Sequence, residues 1–97
     1  MFMLHGRLSA KAGKRDDLLA IMVGAGDSLP GCRLYVVAVD DTDPDGVWAT
    51  EIWESEEAHA ASLRLDHVKE RIARAMPLID AEGIRHQRLD ARAGIPG

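Results

Sequence analysis

Cysteine is almost missing from this chain. Cys32 stands alone among 97 residues, so no intramolecular disulfide forms and no multi-cysteine metal site exists. Long apolar runs are missing too. No window approaches the roughly 18 apolar residues that span a bilayer as a helix. The opening MFMLHGRLSAKAGKR lacks the apolar core of a signal peptide. The expected location is the cytoplasm, with no membrane partner. A basic excess is also absent: the formal charge is −4. A nucleic-acid binder normally shows a basic face, so no nucleic-acid partner is expected. Repeats, low-complexity segments, a G-x-S-x-G elbow, a phosphate loop and a dinucleotide fingerprint do not occur. What remains is a globular composition over the length of one domain. That domain covers 1–97, with a core of about 2–91 and a short C-terminal tail, Gly94 to Gly97.

Hydrophobic periodicity supplies the elements. Phe2 to Leu8 (FMLHGRL) is short and apolar-rich and reads as a strand. Lys14 to Leu29 carries Leu18, Ile21, Met22, Ala25 and Leu29, the spacing of one helix face. Asp16 and Asp17 fall in its first turn, where the helix dipole favours negative charge, and Pro30-Gly31 ends it. Cys32 to Val39 and Val47 to Trp53 read as strands from their β-branched and aromatic content. Ser55 caps a short helix, Glu56 to about Leu63. Asp66 caps a longer one with Val68, Ile72, Ala75 and Met76 on one face, and Pro77 kinks or ends it. Ile84 to Ala91 forms a polar last strand. The order β-α-β-β-α-β is the ferredoxin-like α+β arrangement, an antiparallel sheet with helices on one face.

The middle strands add a further expectation. A sheet covered on one side alternates apolar and polar residues, yet VVAV is apolar on both parities. In VWATEIW, Val47 and Trp53 point one way while Trp48 and Ile52 point the other. Helices cover one face, so the other is expected to meet a second subunit in a homodimer.

Between these strands lies DDTDPDG, which begins like a calcium-binding EF-hand loop. Counting from Asp41 puts Asp43, Asp45 and Gly46 in place, but Ile52 falls where the bidentate glutamate belongs, and Glu51 comes one residue early. The flanks have strand period rather than helix period. An acidic hairpin turn is the better reading. The four histidines show no ligand-type spacing beyond His59 with His67, across a helix break, and no metal site is expected. His5 and His86 fall on outer strands, where subunit contacts form.

Several residues have the chemistry of a small-molecule site. His59, on the short helix, is a candidate base; its bland alternative is a surface or capping histidine. Glu51 and Trp53 share a strand face. A carboxylate beside an indole inside a sheet is unusual, since buried glutamate needs a partner. Glu51 is either a pocket base or orienter of His59, or half of a buried salt bridge with Arg7 or Arg33. Trp53 is a pocket wall or core residue. Tyr35 offers a phenol to a ligand or closes the core, and His67 faces the same space or solvent. Cys32 reads as a packed thiol.

The segments HGRL, KAGKRDDLL, LPGCRLY and above all EIWESEEAHAA resemble the antibiotic biosynthesis monooxygenase (ABM) family over roughly Phe2 to Leu89. The resemblance implies a dimeric α/β barrel of two ferredoxin-like subunits packed sheet to sheet, with a pocket between sheet and helices in each. It implies reaction classes that include oxygenation of electron-rich phenols and quinols without flavin, metal or haem, haem degradation, and isomerisation of a furanone signal. The positions that carry asparagine, tryptophan and histidine in the haem-degrading branch are Gly6, Ser62 and Ile72 here, which argues against that branch. Many quinol-type members have a second histidine where this chain has Ser62; His59 itself matches.

The expected function is therefore a cofactor-independent monooxygenase acting on a small aromatic quinol or phenol with molecular oxygen. His59 and Glu51 are its catalytic candidates, and Trp53, Tyr35 and His67 its substrate-binding candidates. The alternatives are a non-catalytic ligand-binding or stress-associated dimer, and an isomerase of a small carbonyl compound.

Overall fold

A computed structural model describes residues 1–27 and 29–96. Strand β1 (Phe2–Ala10) leads through helix α1 (Arg15–Met22) to strands β2 (Cys32–Val39) and β3 (Gly46–Trp53). Helices α2 (Glu56–Ser62) and α3 (Asp66–Ala75), a 3-10 turn at Met76–Leu78 and strand β4 (Ile79–Asp90) complete the chain. The strands form one antiparallel sheet in the order β2-β3-β1-β4. This is the ferredoxin-like α+β fold.

Register decides what each sheet face presents. Phe2 pairs with Trp53, Leu4 with Glu51, Gly6 with Ala49 and Leu8 with Val47. Tyr35 pairs with Glu51 from the other side, and Val37 with Ala49. Side chains alternate along a strand, so these residues share the face that the helices cover. Leu18 and Met22 of α1 pack there with Ala10 and Val47. Leu18 and Val47 are fully buried and Trp53 is 1% exposed. Each such side chain contributes roughly 1.5–3 kcal/mol through burial. The opposite face carries Met3, His5, Trp48, Thr50, Val36 and Leu89 by the same alternation. The His5 ring stacks on Trp48 at 5.3 Å and its Nδ1 lies 3.0 Å from Thr50 Oγ1. Among the described residues no helix crosses this face, and Val36 is 47% exposed.

Four local expectations change. The first helix ends at Met22 rather than Leu29. Gly24 takes a left-handed φ of 76°, and a Cβ on Gly26 would fall 2.3 Å from Tyr35 Cβ. The chain leaves the helix to lie directly on Tyr35, and Ala25 and Leu29 are buried without being helical. Ser28, inside that expected helix, lies outside the described residues, as does Gly97 of the tail. Secondly, Asp66 is the first residue of α3 rather than its cap; Leu65 precedes it and makes no capping bond. Thirdly, β4 begins at Ile79, five residues before the expected Ile84. Fourthly, the expected strand through Ala91 stops at Asp90. Ser55 does cap α2, accepting a hydrogen bond from the Ala58 amide at 3.0 Å, and Pro77 sits in the turn that ends α3.

The acidic segment is a hairpin connection between β2 and β3. Asp40 accepts hydrogen bonds from Trp48 Nε1 at 3.0 Å, the Thr42 amide at 2.9 Å and hydroxyl at 3.0 Å, and the Asp43 amide at 3.1 Å. Arg7 pairs with Asp43, and Arg15 donates to the Asp43 carbonyl at 2.9 Å. These hydrogen bonds hold the Asp40 carboxyl well below the usual carboxylate range, the bond from Trp48 foremost. Asp40 and Asp43 thus direct their carboxylates at the protein's own donors.

Candidate active site

Glu51 stands mid-sheet between Leu4 and Tyr35, beneath the helices. Above it is a cavity of about 250 Å³ between sheet and helix layer. Its walls are largely aliphatic, from Leu18 and Met22 of α1 to Val68 and Ile72 of α3. Glu51, Trp53, Tyr35, His59 and Arg71 interrupt that apolar lining. A second chamber of about 350 Å³ adjoins it toward β1 and β4, and Tyr35, Glu51 and His59 line both.

Trp53 Nε1 donates to Glu51 Oε1 at 3.0 Å. This bond ties the carboxylate to the indole two residues away. Burial pushes the Glu51 carboxyl above its ordinary value, against smaller opposing effects of the Trp53 bond and of His59. A carboxylate so placed is a stronger base than one in water. The salt bridge expected from Arg7 or Arg33 does not form. Arg7 is drawn to Asp40 and Asp43 of the hairpin, and Arg33 lies beside Glu54 at 3.7 Å. Arg7 borders the second chamber but its charge is committed to the hairpin, and Arg33 lines neither chamber.

His59 projects from α2. Its ring meets the Trp53 indole edge-on at 5.3 Å and Phe2 at 5.6 Å. The two aromatics fix the ring plane by contact, and among the described residues no protein group hydrogen-bonds its nitrogens. The Tyr35 phenol is pushed up to about 12, first by burial and then by the charge of Glu51. At neutral pH it is a hydrogen-bond donor. Ser62 also lines the cavity and is 4% exposed, but its hydroxyl donates to the His59 carbonyl at 2.6 Å. It secures the helix that carries His59.

Of the site residues expected from sequence, Glu51, Trp53, Tyr35 and His59 therefore meet around one cavity. His67 does not join them: it is exposed at the start of α3 and off the cavity wall. Arg71, which sequence reasoning passed over, lines the cavity. The available signal was weak. Arg71 precedes Ile72 on the apolar edge of α3 and has no acidic residue three or four positions away.

The ABM family profile matches residues 1–74. A crystal structure from Chloroflexus aurantiacus J-10-fl, assigned as an antibiotic biosynthesis monooxygenase, is 44% identical with a TM-score of 0.90, over 96% of this chain and 94% of that one. A second, from Deinococcus radiodurans and assigned likewise, is 27% identical with a TM-score of 0.80, over 98% and 96%. SnoaB from Streptomyces nogalater, a cofactor-independent oxygenase, shares the fold at 13% identity and a TM-score of 0.77, over 99% and 97%. A comparison with curated proteins finds no match.

Proposed function

This chain belongs to the antibiotic biosynthesis monooxygenase family, and we propose that it oxidises a small aromatic quinol or phenol with molecular oxygen and no resident cofactor. The observation that carries the reading is the convergence of Glu51, His59 and Tyr35 on an apolar cavity walled by Trp53. SnoaB, of the same fold, is a cofactor-independent oxygenase, which supports the reaction class.

The chemistry asks three things of the protein. It must bind a ring, remove a phenolic proton and keep bulk water away from the charges that develop. The aliphatic walls and Trp53 bind the ring. His59 takes the proton, and Glu51 lies near enough for its charge to interact with the imidazolium that forms. The phenolate passes one electron to oxygen, giving a phenoxyl radical and superoxide. These combine at a ring carbon to form a C–O bond. The imidazolium of His59 returns its proton to the peroxide anion so formed, and the hydroperoxide then loses its O–O bond and the hydrogen of that carbon, leaving a quinone and water. Substrate and one oxygen molecule account for every atom and electron. Tyr35, protonated at neutral pH, donates a hydrogen bond to a substrate oxygen other than the one that gives up its proton.

The test is oxygen uptake with dihydroxynaphthalene-type quinols. His59→Ala is expected to lower kcat by about a hundredfold or more, as removal of a general base does. An unchanged rate removes His59 from this role. Ser62 favours a second reading. It stands where many quinol-type members have a histidine, and its hydroxyl is engaged by the His59 carbonyl. A binding module that holds phenols, quinones or furanones as a small-ligand or stress-associated dimer would stabilise on ligand addition without consuming oxygen. An isomerase of a small carbonyl compound would turn over equally well without air.

We also propose that the protein works as a homodimer joined through the sheet face that carries Val36 and Trp48. That face is apolar over β2 and β3, and no helix among the described residues crosses it.

A further inference from the structure

The cavity holds a cation with no protein counter-charge. Most arginines of the chain have partners. Arg7, Arg33, Arg88 and Arg92 face carboxylates, while Arg15 and Arg85 donate to backbone carbonyls. Among the described residues, Arg64, Arg71 and Arg74 have no ion pair or side-chain hydrogen bond. Arg64 and Arg74 are exposed, where water solvates them; Arg71 is half-buried and lines the cavity.

Its own helix offers it nothing. The residues three and four positions away are His67, Val68, Arg74 and Ala75, none of them acidic. The cavity's one carboxylate, Glu51, is bonded to Trp53, and His59 rather than Arg71 is the cation that bears on it. Arg71 instead acts on Tyr35, where its charge opposes the effect of burial. Arg71, Tyr35, Glu51 and His59 all line this one cavity, and Tyr35 and Glu51 are cross-strand partners beneath it. The cavity thus offers an anion two donors, Arg71 and Tyr35, and offers a hydroxyl a base, Glu51 or His59.

We infer that the cavity selects an aromatic ligand bearing both a hydroxyl and a carboxylate. The carboxylate pairs with Arg71 and accepts from Tyr35, and the phenolic hydroxyl meets Glu51 and His59. The guanidinium fork fits a carboxylate in two-point contact, and the pairing sets which end of the ring faces the base. This assignment of substrate class rests on the reading of the cavity as the quinol site.

Anaerobic calorimetric titration of the whole protein with two matched probes, dihydroxynaphthalene and dihydroxynaphthoic acid, tests it. The acid is expected to bind about tenfold more tightly, the scale of one charge-assisted pair in a partly buried site. Raising the salt concentration should narrow that ratio. Arg71→Gln should bring the ratio to about one, and Arg71→Lys should keep part of the preference because charge remains without the fork. Thermal unfolding of each variant shows that it is folded. Equal affinity of wild-type protein for the two probes, binding of neither, or an unchanged ratio in Arg71→Gln overturns the inference. So does equal weakening of both probes in that variant, which would place Arg71 on the ring or the phenolate. Oxygen uptake with the same probes separates this from the oxygenase reading. Tight binding of the acid without uptake defeats the oxygenase alone. Uptake with the uncharged quinol and no preference for the acid defeats the carboxylate site alone.

Discussion

Glu51 is ionised at some expense to the fold. Its folded-state carboxyl is raised above the ordinary 4.5 by burial, so the folded chain holds that proton more tightly than the unfolded chain does. Stability falls as pH rises from 4.5 through the raised value, and the deficit persists above it. Glu51→Gln keeps an oxygen to accept from Trp53 Nε1 and removes the charge. The variant should melt higher than wild type at neutral pH and alike well below pH 4.5. Thermal unfolding at the two pH values reads this directly, and a difference that does not change with pH would contradict it. The same substitution should slow oxygen uptake, so that one change stabilises the protein and impairs its site. Asp40 titrates in the opposite sense. Its lowered carboxyl stabilises the hairpin above the ordinary 3.8, and that contribution is lost as pH falls below it.

At the scale of elements, α2 is the delicate one. It has seven residues, carries His59, and is too short to hold itself together. The Ser55 hydroxyl satisfies one of its free amides. Ser55→Ala should cost about 1 kcal/mol in urea unfolding, and should lower activity further by loosening the His59 ring against Trp53. Full activity in Ser55→Ala would mean that Phe2 and Trp53 position the ring without the cap. The order of elements was legible because the hydrophobic period switches cleanly between strand and helix, and the parity of VWATEIW places Glu51 with Trp53. The end of α1 was not legible. Gly24, Ala25 and Gly26 are individually tolerable in a helix, yet the chain turns extended at Val23 and left-handed at Gly24, and Gly26 then lies against Tyr35 across the fold. The start of β4 was hidden similarly. Gly83 looks like a break, but it lies where the β1–β4 register shifts, and a Cβ on it would fall 2.4 Å from Ser9 Cβ. Arg71 and His67 share the charged run of α3. Sequence alone does not say which of them turns inward, since a long arginine stem can lie along apolar surface.

For the whole molecule the two sheet faces divide the work. One is roofed by helices and encloses the cavity; the other presents Val36, Trp48 and Leu89. If two copies join there, Val36→Asp should yield a monomer in sedimentation velocity and a lower melting temperature. Two carboxylates would then face a desolvated seam without partners. A variant that stays dimeric would place the contact elsewhere. Activity measured on that monomer would show how far a site lying wholly on the helix side depends on the opposite face.

Trp48 and Trp53 are the chain's two tryptophans, and their odd separation along β3 sets them on opposite sides of the sheet. The protein thus contains two optical reporters on one strand, one on each face of the sheet. Trp53 emission, beside Glu51 and His59, answers to what enters the cavity. Trp48 emission, beneath the His5 ring, answers to what covers the outer face. Replacing either by phenylalanine leaves a chain in which ligand entry and subunit association are each followed by a single fluorophore.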